Sequence, residues 1–211
     1  DLGIYPAAML AYVYESEGKI GKFTAFGSLG FGIGNFVAGV IAIYYQIFMV
    51  SGLMLLFAYI LSLRLTFSGQ TMHKVPLFPA YIIKHNFPVY VSIMFRHIGA
   101  NMIWVVYPLF LADLGASAVF IGFIYGINAV GQYVFMRFID RFKTYHLVMA
   151  GFVFSILTFP SYTLATTPEQ IIPMQVSIAA AWSCLYVGSI KYLMERNEEK
   201  GTSSGLLQSF L

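Results

Sequence analysis

Long apolar runs separated by shorter polar stretches make up most of the sequence. Crossing the ~30 Å hydrocarbon core of a bilayer takes about 20 apolar residues in a helix. The runs are continuously apolar and lack the alternation of barrel strands, so the pattern predicts membrane-spanning helices. Six runs come close to this length: 23–44, 47–63, 87–111, 119–136, 147–165 and 171–191.

One long polar stretch, residues 64–86, divides these runs. We interpret it as a linker outside the lipid, between an incomplete bundle at 1–63 and a second incomplete bundle at 87–211. Residues 3–14 resemble the end of a span, and 205–211 resemble the start of another. The predicted fold is therefore an all-α membrane protein, an internal fragment with six complete transmembrane helices and two truncated ones.

Composition agrees with lipid as the solvent. Hydrophobic residues make up 59% of the chain, charged residues 10%, and the mean hydropathy is +0.75. Soluble domains carry about 25% charged residues. The single cysteine, Cys184, lies inside an apolar run, which excludes a disulfide framework or a cysteine metal site. We predict no cofactor and no metal.

Basic residues are concentrated on one predicted face of the membrane. Ten Lys and Arg residues lie in one set of alternate loops, whereas the other set has none and contains Asp113 and Glu169. By the positive-inside rule the basic face is cytoplasmic, and we predict the cell membrane as the location. The net charge of +3 then reflects topology and not nucleic-acid binding. The predicted cytoplasmic loops are 15–22, 64–86, 137–146 and 192–202.

A short pattern recurs 180 residues apart. Residues 12–21 (YVYESEGKIG) and 192–201 (YLMERNEEKG) both carry Glu-x5-Gly with a Lys shortly before the Gly. Two similar six-helix halves, as parallel transporter repeats have, would place the copies six spans apart. Coincidence is the alternative, because acidic-to-basic turns at helix ends are common.

Three features resemble the major facilitator superfamily of transporters. The Glu-x5-Gly loop leads into a glycine-rich span at 21–39, similar to that family's fifth helix. The basic stretch 64–86 resembles the linker between its halves. The segment 137–143 (RFIDRFK) resembles its Asp-Arg loop signature between the eighth and ninth helices. The resemblance runs from the end of the fourth helix to the start of the eleventh.

The resemblance implies a secondary active or facilitative transporter that moves a small solute by alternating access between two bundles. Its partners would be that solute and the bilayer. No Asp or Glu occurs within the six apolar runs. A coupling proton would therefore need a carboxylate in helices outside this chain, or His97.

The span 87–111 carries a polar stripe. His97, Asn101, Trp104 and Pro108 fall at i, i+4, i+7 and i+11, which is one face of a helix, and Arg96 lies beside it. We favour a substrate-facing stripe in which Arg96 or His97 meets an anionic or polar group, since charged groups in membranes usually face a cavity or a partner. The alternative is that Arg96 extends to the cytoplasm and the others bind a neighbouring helix.

Two further spans carry similar stripes. In the span 119–136, polar groups could contact the substrate or join neighbouring helices. A polar contact between helices contributes about 0.6 kcal/mol. In the other, the resemblance implies a cavity-lining helix, although an aromatic stripe is more often packing. The candidates are Tyr125, Asn128 and Gln132 in the first span and Gln175, Trp182 and Tyr186 in the second.

Small residues and a charged turn are the remaining candidates. The glycines of the span 23–44 predict close helix packing, with a sliding interface as the alternative. Asp140 and Arg141 lie in a predicted cytoplasmic turn, either as a state-dependent latch or as an ordinary positive-inside turn. The packing glycines are Gly27, Gly30, Gly34 and Gly39, with Gly32 on an adjoining face.

Two other functions compete with transport. A membrane-embedded enzyme could use His97 or His146, but the sequence lacks an HExxH motif, a Gly-x-Ser-x-Gly motif and carboxylates within the apolar runs. A receptor-like multi-pass protein would not predict the repeat at 180 residues. We therefore predict that the protein is not an enzyme.

Overall fold

The computed structural model describes residues 4–15, 19–41, 43–64 and 79–211, and these are helical with no strand among them. This confirms the predicted all-α fold. Two single turns of 3-10 helix, Tyr162–Leu164 and Pro168–Gln170, connect the last two long helices. The α-helices are α1 (Ile4–Glu15), α2 (Ile20–Ile41), α3 (Tyr44–Ser62), α4 (Ala80–His85), α5 (Phe87–Asp113), α6 (Ala118–Ile139), α7 (Thr144–Ser161), α8 (Ile171–Arg196) and α9 (Lys200–Ser209).

Six of these helices are long and apolar enough to cross a membrane, namely α2, α3, α5, α6, α7 and α8. Their number agrees with the six runs in the sequence. Most of their surface consists of exposed apolar side chains, and α3 buries none of its residues against the described part of the chain. Such surfaces are stable only in lipid or against other apolar helices. The protein is an integral multi-pass membrane protein.

Helices from both sides of the 64–86 stretch pack against each other. The most extensive contact joins α2 to α6, followed by α7 with α8 and α6 with α8, and α1 packs on α9. Helix α8 has the largest buried share of the candidate spans. The division of the chain into two bundles remains a prediction, and most of the 64–86 linker lies outside the described residues.

The loops are shorter than the sequence pattern predicted, because helices continue past the apolar runs. Helix α6 extends to Ile139 and includes Arg137, while α8 extends to Arg196. Basic residues in a last helical turn interact favourably with the helix dipole, so polarity there does not end a helix. Helix α2 is offset in the other direction: it begins at Ile20 and ends at Ile41. Within the predicted linker, residues 80–85 form α4.

Close packing of α2 on α6 depends on three glycines. A Cβ added at Gly21 would lie 2.4 Å from the Met136 carbonyl oxygen. A Cβ added at Gly32 would lie 2.4 Å from the Ala129 Cβ, and one at Gly39 would lie 3.3 Å from the Ala118 carbonyl oxygen. Three other glycines of α2 do not contact α6. A Cβ added at Gly27, Gly30 or Gly34 meets no atom of the described residues within 4 Å, so their role in helix packing stays a prediction.

Polar contacts join the helices at the basic end of the bundle. The Asn86 Nδ2 donates to the Asn197 Oδ1 at 2.9 Å, which connects the start of α5 to the α8–α9 turn. The Tyr81 hydroxyl donates to the Glu199 carboxylate of the same turn. This hydrogen bond, with desolvation and the negative charge of Glu199, raises the pKa of Tyr81, so the phenol keeps its proton. These contacts place the described parts of 64–86 and 192–202 together, as the alternation of loops predicts.

The opposite end is held by apolar and aromatic packing. Tyr107, Leu111, Ile124, Tyr162 and Ile171 form a buried cluster from α5, α6, α7–α8 and α8. The Tyr107 and Tyr162 rings pack edge to face with centroids 5.6 Å apart. Both ends of the helix bundle combine ring contacts with hydrogen bonds: Tyr90 stacks on Phe210 at the basic end, and Gln175 donates to Tyr107 and Tyr162 at the other.

Candidate functional site

A cavity of about 380 Å³ lies among α2, α5, α6 and α8. Its volume is within the ~300–1,000 Å³ typical of small-molecule sites. Eight of the ten substrate-path candidates line it, and Phe31 and Ile178 complete the wall. Pro108, on the same predicted stripe of α5, is not part of the lining. The eight are Arg96, His97, Asn101, Trp104, Tyr125, Asn128, Gln132 and Trp182.

Arg96 is half-buried at the wall of this cavity. Its guanidinium carbon lies 5.3 Å from the Phe159 ring centroid and 5.2 Å from that of Trp182. Its Nε donates to the Ser155 hydroxyl at 3.3 Å. Aromatic faces attract a cation by about 0.5–2 kcal/mol each, depending on desolvation. The Arg96 side chain thus points toward α7 and α8. It does not extend to the cytoplasmic end, as the alternative interpretation would require.

His97 and Asn101 follow Arg96 along the cavity wall. The buried Nδ1 of His97 has no hydrogen-bond partner among the described residues. Its ring lies 5.9 Å from the Trp182 ring, between centroids. Asn101 is exposed, and its amide makes no hydrogen bond within the described part of the chain. Both side chains are therefore able to bind a ligand polar group without first giving up a protein partner.

The amides of α6 are already engaged. The Ser28 hydroxyl donates to the Gln132 Oε1 at 3.0 Å, and the Gln132 Nε2 donates to the Asn128 Oδ1. Asn128 in turn donates to the Gln175 carbonyl oxygen at 3.4 Å. This chain of hydrogen bonds joins α2, α6 and α8 across the cavity wall. Asn128 and Gln132 therefore hold helices together and also line the cavity, and their contact with a substrate stays a prediction.

Gln175 does not line the cavity, which corrects the prediction from its stripe. The residue is fully buried, and its Nε2 donates to the hydroxyl groups of Tyr107 and Tyr162. Its Oε1 has no partner among the described residues. At Gln175 the predicted stripe faces Tyr107 of α5 and Tyr162 after α7 instead of open space. Gln175 is a buried connection beyond the cavity.

Tyr186 belongs to an adjoining cavity of about 760 Å³, which also contains Phe23 and Met136 near the basic end. The two cavities share four lining residues, so they lie side by side. The Tyr186 ring stacks on Trp182 with centroids 5.1 Å apart, and its hydroxyl accepts a hydrogen bond from Gln208 at 2.9 Å. The shared residues are Phe31, His97, Gln132 and Trp182.

Aromatic rings line the cavity wall nearest the non-basic end. Trp104 lies between Tyr107, at 5.1 Å, and Tyr125, at 6.3 Å, between ring centroids. Tyr125 also packs against Phe31 at 6.4 Å. Edge-to-face ring pairs contribute about 0.5–1.5 kcal/mol beyond area burial. The two adjoining cavities thus extend toward the basic end, and the aromatic rings of Trp104 and Tyr125 occupy the other end.

Several site residues were not identified from the sequence. Phe31 and Ile178 line the cavity, and Ser155 and Phe159 contact Arg96. Nothing separates Phe31 or Ile178 from the many apolar residues of their spans. A signal existed for the other two: Ser155 and Phe159 lie four residues apart, on one face of α7.

Asp140 and Arg141 have different surroundings. The Gly21 N–H, in the first turn of α2, donates to the Asp140 Oδ1 at 3.3 Å. The Lys191 ammonium donates to the Asp140 backbone carbonyl at 3.4 Å. Arg141 is exposed, with its guanidinium carbon 5.5 Å from the Phe138 ring centroid. A carboxylate at a helix N-terminus interacts favourably with the helix dipole. Of the two latch candidates, Asp140 is the one that joins helices.

Among the described residues there is no group of three or more His, Cys, Asp or Glu that could hold a metal ion. The titratable cavity residues are Arg96, His97 and Tyr125. The arrangement offers a cation, a histidine and an unpaired amide in an aromatic surround. These groups are suited to binding a small polar or anionic molecule.

Comparison with known proteins identifies the family. An uncharacterized transporter of Bacillus subtilis (strain 168), YwbF, is 32% identical to this chain over 141 residues. The match covers 63% of the chain and 35% of YwbF, so the chain corresponds to about a third of that relative. No solved structure matches the chain. The family described as the MFS_1 like family matches residues 2–211, and the chain belongs to it.

Proposed function

We propose that this chain is part of a secondary transporter that moves a small solute across the cell membrane by alternating access between two helical bundles. The cavity among α2, α5, α6 and α8 would hold the solute partway across. The observation that supports this most directly is the convergence of eight polar or aromatic candidates from three helices on one cavity. The basic loops would face the cytoplasm.

The matched family and the relative YwbF both support a transport function. The relative YwbF is described as a transporter, and the family is that of the major facilitator type. Binding sites of such transporters lie near the bilayer midplane, at the interface between repeats. Here the cavity is bounded by α2, before the 64–86 stretch, and by α5, α6 and α8, after it. An enzymatic function has no comparable support from the described residues.

Exchange of labelled solutes by the full-length protein in liposomes tests this function. We expect Asn101→Ala to reduce exchange about tenfold, because its unengaged amide faces the cavity and a lost polar ligand contact of roughly 1.4 kcal/mol corresponds to a factor of ten. Asn35→Ala is the matched control, since within the described residues the Asn35 amide donates only to the Phe31 carbonyl oxygen of its own helix.

Equal exchange by wild type and Asn101→Ala would remove Asn101 from the proposed site. Failure of wild-type protein to exchange any solute of a broad metabolite mixture would contradict the transporter function itself. An imposed pH gradient distinguishes proton-coupled transport, which it drives, from facilitated transport, which it does not drive. Coupled uptake that persists in His97→Gln would exclude His97 as the proton carrier.

A further inference from the structure

The charge of Arg96 has no counter-ion among the described residues. Its partners in the described part of the chain are a hydroxyl group and two rings, and none of the apolar runs contains a carboxylate. An unpaired cation within a membrane span is unfavourable, so such residues usually pair with another charge or mark a substrate path. A bound anion would supply the missing charge from the cavity.

The surroundings of Arg96 favour a planar acceptor. Rings occupy positions beside the guanidinium at 5.3 Å and 5.2 Å, and its Nε is engaged by Ser155. The terminal Nη groups make no hydrogen bond within the described part of the chain. A guanidinium packed against rings still presents its N–H groups at the edge of its plane, where a carboxylate accepts two parallel hydrogen bonds.

The rest of the cavity favours a flat apolar body over a polyhydroxylated one. Rings of Phe31, Trp104, Tyr125 and Trp182 line it. A sugar would need several amide and carboxylate partners, but the Asn128 and Gln132 amides are bonded to each other and to the protein. Free polar groups are concentrated instead on α5, at Arg96, His97 and Asn101, which is the arrangement for one polar end of a ligand.

We infer that this cavity takes a small aromatic monocarboxylate, with its carboxylate on the Arg96 guanidinium and its ring among the aromatic side chains. The inference rests on the proposed transport function, since it identifies the cavity with the solute site. His97 Nδ1 and the Asn101 amide lie on the same helix face as further polar contacts for the carboxylate end. The volume of about 380 Å³ accommodates a single-ring molecule.

Calorimetric titration of the purified full-length protein in lipid nanodiscs tests the inference with three probes. Benzoate has both the ring and the charge, benzamide has the ring without the charge, and acetate has the charge without the ring. We expect benzoate to bind about tenfold or more tightly than either of the others, because charge-assisted hydrogen bonds are roughly twice as strong as neutral ones. Equal affinities for benzoate and benzamide would overturn the inference.

Variants assign the effect to one residue. Arg96→Gln should lower benzoate affinity about tenfold or more while leaving benzamide affinity within about twofold, and Arg96→Lys should fall between, because it keeps the charge and loses the planar fork. Arg137→Gln is the matched control: Arg137 is exposed and lies outside the cavity. Unchanged benzoate affinity in Arg96→Gln would contradict the assignment.

Binding and transport are measured separately, so that their failures are distinguishable. Benzoate binding without movement of labelled benzoate into liposomes would support the ligand class and contradict the transport function. Exchange of a neutral solute by a protein that binds no benzoate would support transport and overturn the ligand class.

Discussion

Gly32→Ala is expected to lower the thermal unfolding temperature of the full-length protein by several degrees, whereas Gly30→Ala raises it or leaves it unchanged. The added methyl group at position 32 would lie 2.4 Å from the Ala129 Cβ, so α2 and α6 must move apart. Overpacking of this kind typically destabilises by about 1–3 kcal/mol. At position 30 the new Cβ meets no atom of the described residues within 4 Å.

The pair is matched because both substitutions occur in α2 and gain the same helix propensity, about 1 kcal/mol for Gly to Ala. Their difference therefore isolates the contact with α6. The measurement is unfolding in a mild detergent, followed by the fluorescence of Trp104 and Trp182, which are the two tryptophans of this chain. Indistinguishable unfolding temperatures would show that α2 and α6 are less closely packed at Gly32 than a Cβ separation of 2.4 Å implies.

Asp140→Asn is expected to open the basic end between α2 and α6. The substitution leaves an oxygen that can accept the Gly21 N–H but removes the negative charge at the N-terminus of α2. That charge contributes about 0.3–1 kcal/mol, and up to ~2 kcal/mol where partly buried. A change of one to two kcal/mol alters the ratio of two states roughly 5- to 30-fold.

Distances between spin labels at the exposed positions Lys22 and Lys143 measure this opening, in a background where Cys184 is replaced by serine. We expect a larger share of long distances in Asp140→Asn than in wild type. Asp113→Asn is the control, since this exposed carboxylate lies at the C-terminal end of α5. A distance distribution that is the same in Asp140→Asn and wild type would leave Asp140 as an ordinary turn residue.

The number of membrane spans could be predicted from the sequence, because a span must satisfy its own backbone and needs a long apolar run, whereas the short helix α4 could not. The helix ends could not. Helix α6 begins where the Ser117 hydroxyl accepts the Phe120 N–H at 3.2 Å, a cap two residues before the predicted run. At its other end, α6 continues through Arg137, because charge on the last turn is compatible with helix outside the lipid.

The cavity was predictable to the extent that polarity in a membrane span is unusual. The polar positions of α5 and α6 point to one face of each helix, and those faces converge. Apolar contributors such as Phe31 carry no such signal. Gln175 shows the limit of the argument, because a periodic stripe gives a direction on one helix but not the neighbour it meets. The α2 glycines between Gly27 and Gly39 show the same limit. They lie two to five residues apart, so their spacing does not decide which face of the helix packs against a neighbour.

The two ends of the helix bundle differ in what their separation requires. At the basic end, the amides of Asn86 and Asn197 and the carboxylate of Asp140 can exchange their partners for water, at a net expense of only about 0.5–1.5 kcal/mol per hydrogen bond. At the far end, separating Tyr107 from Tyr162 would expose two buried rings to water. It would also leave the Gln175 amide without its hydrogen-bond partners. Dissolved salt weakens interactions with a charge that is partly exposed, such as Asp140, and has little effect on buried rings. Raising the ionic strength should therefore loosen the end that carries Asp140 before the end that carries the tyrosines.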